Sequence, residues 1–130
     1  MSEEYKHEQV DSGLGYTCDR GVKDILLAFN SIPGCKSFCS CEASKGHRWL
    51  WIEFDCTPKA AEFLRTLEGQ FPHDLRLGRE WSNSGENGWP VKGTIHGNLQ
   101  VPPEHELVAI AYLTGRQRVQ SRLPRCRTRL

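Results

Sequence analysis

The sequence predicts an α+β domain: a single, mainly antiparallel sheet of four to five strands, with about three helices packed on one face. Two observations carry this. Apolar residues recur at helical spacing in some segments and at every second position in others. These segments follow the order helix, strand, strand, helix, strand, strand, helix, with links short enough for hairpins. The chain has 130 residues, which suits one core of this kind and is too short for two ordinary domains.

Residues 1–18 are polar, include Gly13 and Gly15, and show no period; they read as an N-terminal arm. Asp19 is a good N-cap residue. Val22, Ile25, Leu26 and Phe29 then fall at i, i+3, i+4 and i+7, the stripe of a helix laid on a core. Pro33 biases Ile32 out of the helical region and Gly34 relaxes the turn. Residues 35–41 read as a strand, with Cys35, Ser37, Cys39 and Cys41 on one face and Lys36, Phe38 and Ser40 on the other. Residues 48–55 are the clearest strand, with Leu50, Ile52 and Phe54 opposite Trp49, Trp51 and Glu53.

Thr57 followed by Pro58 is an N-cap with proline at the first helical position. Ala60, Phe63, Leu64 and Leu67 form the stripe, and Gly69 is the stop. Residues 74–81 alternate again. A hairpin loop over residues 82–88 is expected to lead into a strand over residues 90–95, with residues 97–101 extending or leaving the sheet. Pro102 and Pro103 open a third helix packed through Leu107, Ile110 and Ala111, flanked by Val108 and Leu113. Gly115 closes the domain, taken as residues 19–115. Residues 116–130 form an Arg-rich tail, with Arg116, Arg118, Arg122, Arg125, Arg127 and Arg129 and no acid after Glu106.

Composition narrows the function classes. Charged residues are 25% and hydrophobic residues 38%, a globular balance that excludes a disordered chain. No apolar run approaches the ~20 residues of a membrane span, and the polar N-terminus has no signal-like apolar core. A cytoplasmic protein without a membrane partner is therefore expected. In that compartment the six cysteines read as free thiols or metal ligands. The sequence holds no phosphate-binding loop, dinucleotide fingerprint, His-Glu-x-x-His or nucleophile elbow.

Phe29-Asn30-Ser31, a turn, and Ser37-Phe38-Cys39-Ser40-Cys41 resemble the wybutosine-synthesising tRNA methyltransferases. That family has a helix ending in Ile-Asn-Ser and a strand closing on Thr-x-Ser-Ser-Cys followed by Gly. Trp49 to Phe54, Pro58 to Leu67, Val91 to Gly97 and Glu104 to Leu113 are similar to its later elements, in order. The family's Gly is replaced here by Glu42. The resemblance implies S-adenosylmethionine as a cofactor, RNA methyl transfer if the chain is an enzyme, and a binding surface at this same turn.

The residues themselves offer three readings. Ser37, Ser40, Cys41, Glu42, Lys45, His47 and Arg48 gather about one turn, where backbone amides and cations could hold a nucleotide-like ligand or RNA. Glu42, His47 and His96 are the acid–base candidates there. Trp49 and Trp51, on the face opposite the aliphatic row, could stack bases. They could equally anchor a protein partner, a homodimer or an inhibitory contact, with Trp81 and Trp89 as candidates to join them. Cys35, Cys39, Cys41 and His47 would make a tetrahedral zinc set in a zinc-stabilised module, although Cys-x-x-Cys knuckles are missing. Buried core thiols are the simpler reading of these cysteines.

Overall fold

The structure is a computed structural model that describes residues 8–42 and 49–119. It is an α+β fold. Among the described residues the elements are β1 (Gln9–Asp11), β2 (Thr17–Asp19), α1 (Lys23–Asn30), β3 (Cys35–Cys41), β4 (Leu50–Cys56), α2 (Pro58–Arg65), β5 (Asp74–Glu80), β6 (Ile95–Val101) and α3 (Glu106–Leu113). β1 and β2 form a two-stranded hairpin. The other four strands make one antiparallel sheet in the order β3-β4-β6-β5.

The two central strands set the layers. In β4, Leu50, Ile52, Phe54 and Cys56 are buried, while Trp51, Glu53 and Asp55 are half-buried. β6 repeats the pattern with Ile95, Gly97, Leu99 and Val101 inside. These side chains share one core with Ile25, Leu26 and Phe29 of α1, Ala60 and Leu64 of α2, and Ala109 and Leu113 of α3. The helices therefore cover one sheet face and leave the other open. Phe54 packs against Phe29, with ring centroids 4.5 Å apart. It lies over Gly97, where a Cβ would sit 2.6 Å from the Phe54 ring, so only glycine fits under it.

α2 starts as its sequence indicates: Pro58 is its first residue and the Thr57 hydroxyl accepts from the Ala60 N–H at 3.1 Å. The other helices begin differently. A 3₁₀ turn, Arg20–Val22, precedes α1, and Asp19 makes no cap. Its carboxylate instead accepts from the Glu42 N–H at 3.0 Å and from the Gln9 side-chain amide. α3 follows a second 3₁₀ turn, Pro103–His105, and buries Ala109, Ile110, Tyr112 and Leu113. Leu107, expected to pack, is 82% exposed, and Val108 is exposed too. The helix is apolar nearly all round, so spacing alone could not select the face that meets α1.

Two segments depart from the expected layout. Within the presumed arm, β1 and β2 pair through Val10 and Cys18; strands of three residues are too short to reveal a period. The last sheet strand begins at Ile95, not at Pro90. Proline has no N–H for a ladder, and residues 81–94 fold instead as a long connection with bonds of its own. Gly93 N–H donates to Trp81 O at 2.8 Å, and Gly85 N–H to Pro90 O at 3.0 Å.

A buried polar clasp joins α1 to the sheet. Asn30 Nδ2 donates to Leu26 O at 2.8 Å and lies 2.7 Å from Ser37 Oγ, while Asn30 Oδ1 accepts from the Ser37 N–H at 3.0 Å. The Tyr16 hydroxyl adds a bond to Ser37 Oγ at 2.6 Å. Ser37 is 2% exposed, so no water replaces a lost partner. Asn30→Ala is expected to destabilise the fold by about 2 kcal/mol, because it leaves the Ser37 N–H unpaired. Ser37→Ala, which keeps the amide pair with Asn30 Oδ1 and loses only the hydroxyl, should cost less; urea denaturation of both variants measures the difference.

Glu106, half-buried at the start of α3, has its carboxyl pushed up, by burial first and by Asp24 second. A carboxyl with a raised folded pKa binds protons more tightly in the folded state. Its contribution to stability is therefore most favourable below its unfolded pKa and declines as pH rises through the folded one. Glu106→Gln is expected to raise the melting temperature at pH 7 and to leave it nearly unchanged at pH 3.5. An increase at pH 3.5 as large as that at pH 7 would show that the charge is not the cause.

Candidate functional site

The site follows from an irregularity in β3. Its register on β4 runs Cys35↔Cys56, Lys36↔Asp55 and Ser37↔Phe54, then resumes at Cys39↔Glu53, Ser40↔Ile52 and Cys41↔Trp51. Phe38 is the extra residue of a β-bulge, which reverses the facing of everything after it. Cys35 and Ser37 point into the core, whereas Cys39 and Cys41 lie with Glu53 and Trp51 on the open face. The single face expected for Cys35, Ser37, Cys39 and Cys41 is therefore split, and with it the zinc set. His47 lies outside the described residues, among which no group of three or more His, Cys, Asp or Glu residues could hold a metal ion.

The thiols are kept neutral. Burial pushes Cys35 up to about 12, with Cys56 adding to it, and pushes Cys56 and Cys41 up to about 11. Burial also raises Cys39 and Cys18. None has the thiolate character of a nucleophile at neutral pH.

The turn after β3 is only partly described: Lys45, His47 and Arg48 fall outside the described residues. Ser37 is committed to the Asn30 clasp. Ser40 is half-buried and stands opposite core-facing Ile52. Glu42 Oε1 accepts from the Gly21 N–H at 2.6 Å, tying the turn before α1 to the end of β3. A Cβ on Gly21 would sit 2.5 Å from that oxygen, so glycine is what admits the contact. The Cys41 thiol lies 3.3 Å from Glu42 O. His96 is far from the end of β3. It is paired with Asp55, four residues along β4 from the Trp51 partner of Cys41, a separation of about 13 Å. Glu42 and His96 do not share a site.

The open face carries three rows across the sheet. One runs Cys41, Trp51, Gln100, Asp74; the next Cys39, Glu53, Asn98, Arg76; the last Lys36, Asp55, His96. Trp89, from the connection between β5 and β6, folds back onto the last row. Its indole Nε1–H donates to Asp55 Oδ2 at 2.7 Å. The other oxygen, Asp55 Oδ1, lies 3.2 Å from His96 Nδ1, and His96 Nε2 lies 3.5 Å from Glu53 Oε2. Phe38, lifted out by the bulge, meets Trp89 edge-on at 5.8 Å and the His96 ring at 5.3 Å. A cavity of about 310 Å³ lies between them, lined by Lys36, Phe38, Asp55, Trp89, Val91 and Thr94 together with Gly34.

Phe38 is 42% exposed and Trp89 52%, and Trp81 and Val91 are exposed nearby in the chain. Trp49 and Trp51, the tryptophans expected to form the aromatic surface, are only half-buried, with Trp51 on the open face. The setting of His96, a candidate from the sequence, is not visible in the sequence: alternation puts Phe38 on a regular strand face, and nothing local links Asp55 to Trp89, 34 positions away.

Comparison with protein-family models, with curated proteins and with solved structures finds no match to this chain. Among the described residues no helix is long and apolar enough to cross a membrane.

Asp55→Ala removes the acceptor of the Trp89 indole and one partner of His96. Exchange of one indole N–H, followed by nuclear magnetic resonance, is expected to speed up by about tenfold, as for a lost charge-assisted hydrogen bond. Asp55→Asn should give a smaller change.

Proposed function

We propose that this protein is an interaction module whose open sheet face docks a protein partner through Phe38 and Trp89, and that the partner presents a basic side chain to Asp55 and Glu53. The observation that carries this reading is Trp89: half its surface is exposed, yet its ring is held in place by the 2.7 Å bond to Asp55 and the edge contact with Phe38. A large aromatic ring already fixed loses little freedom on binding, which is the property of an interface anchor. Charge supports the same choice of partner. The strand residues of the three rows carry Glu53, Asp55 and Asp74 against Lys36 and Arg76, with Arg76 paired to Asp74, so the acid in excess lies at Glu53 and Asp55 and suits a guanidinium or ammonium group.

A second reading moves the nucleotide-like ligand, expected from the sequence near residues 40–47, to this surface. It is favoured by Lys36 beside the aromatic walls of a cavity large enough for a base. S-adenosylmethionine, an adenine with a sulfonium cation, is the small molecule to test, and a single-stranded RNA decamer the polymer.

A synthetic array of 15-residue peptides, probed with the purified protein and with Trp89→Ala, separates the readings. The expected result is retention of Arg- or Lys-containing peptides in preference to acidic ones, with at least tenfold weaker signal for Trp89→Ala. Retention without charge preference, or unaffected by Trp89→Ala, would overturn the proposal. Calorimetric binding of the methyl donor or the RNA decamer, with no peptide retained, would replace it with the second reading.

A further inference from the structure

The helix side of the molecule carries a cavity that the open-face site does not use. It has a volume of about 580 Å³, within the range of small-molecule pockets. It lies where the end of α1, the start of α2 and the end of α3 converge. Ile32, Ala60, Phe63 and Leu113 supply its apolar walls. The hydroxyls at its border are largely engaged. Ser31 Oγ donates to Ala28 O at 2.6 Å, Thr114 Oγ1 donates to Ile110 O at 2.7 Å, and Thr57 Oγ1 accepts from the Ala60 N–H.

Charge at this cavity has one sign. Lys59 is the one charged residue among the described residues lining it, and no carboxylate of the described residues pairs with it. Arg116 Nε donates to Thr114 Oγ1 at 3.1 Å, which brings a second cation to the same border. Lys59 also stands in the first turn of α2, where the helix dipole adds positive potential. An apolar cavity lined by a lysine and, among the described residues, by no acid matches a molecule with an apolar body and one anionic end.

We propose that this cavity is a binding site for an amphiphilic monoanion, a medium-chain or aryl carboxylate. The apolar body packs between Ile32, Phe63 and Leu113, and the carboxylate meets Lys59. The site shares only Gly34 with the open-face cavity, so occupation of one is readable apart from the other.

Decanoate and decanol, added separately to the isotopically labelled full chain, are suitable probes. Decanoate is expected to shift the amide signals of Lys59, Phe63 and Leu113 and to leave Lys36 and the Trp89 indole unmoved. Lys59→Gln, an exposed substitution that the fold tolerates, should weaken decanoate about fivefold and leave decanol unchanged. Absence of shifts at millimolar decanoate, shifts confined to other surfaces, or equal weakening of both probes by Lys59→Gln would overturn the proposal. So would a sedimentation mass that rises with protein concentration and is lowered by Lys59→Gln, because the occupant would then be a second copy of the chain.

Discussion

Ser37 is the polar residue on which the arrangement of this fold depends. Its hydroxyl and amide join three separate pieces of chain: the end of α1 through Asn30, the N-terminal hairpin through Tyr16, and its own strand. A serine buried to 2% exposure is stable only with its hydrogen bonds made, and here Asn30 and Tyr16 make them. The bond geometry therefore fixes where α1 ends relative to β3. It also fixes the last regular residue of β3, because the register breaks at the next position. The clasp is structural, and the irregular part of β3 starts directly after it.

The bulge converts that constraint into a surface. Without the extra residue, Cys39 and Cys41 would continue the inward row of Cys35 and Ser37 and place two more small side chains over the core. With it, they turn outward and Phe38 stands clear of the ladder, against Trp89 and His96. A bulge on the outermost strand also interrupts the regular edge that another chain could extend. The other edge strand, β5, is irregular too, between Leu77 and Glu80, and carries Arg76, Arg79 and Glu80. Both edges are poor templates for strand addition.

What could be read from the sequence was local. Leu50, Ile52 and Phe54 alternate without interruption and face the core as that alternation requires. Thr57, Pro58 and Gly69 bound α2 and the turn after it because each acts within its own turn of chain. What escaped was set by partners distant in the chain. Asp19 has the chemistry of a helix cap, but the Glu42 N–H, 23 positions away, takes its carboxylate. Leu107, Ile110 and Ala111 have helical spacing, as do Ala109, Ile110 and Leu113, and only contact with α1 selects between the stripes. The candidate site was the least legible part. A bulge leaves no mark on a two-residue period until the partner strand is seen, and the bond from Trp89 to Asp55 spans a long connection.

Gly34 shows how little separates the two cavities. It lines both, and its carbonyl accepts from the Thr57 N–H at 3.0 Å, so the turn before β3 is tied to the residue that caps α2. Its φ of +88° is one that side chains rarely adopt, and an added Cβ would lie 2.5 Å from Thr57 Oγ1. Glycine is thus required twice at this position, by conformation and by space. Any larger residue would push on the α2 cap, and the start of α2 carries Lys59. On the other side of the same glycine, Lys36 faces the aromatic cavity. The two cavities use different side chains and opposite faces of the sheet, yet one backbone junction sets the position of both.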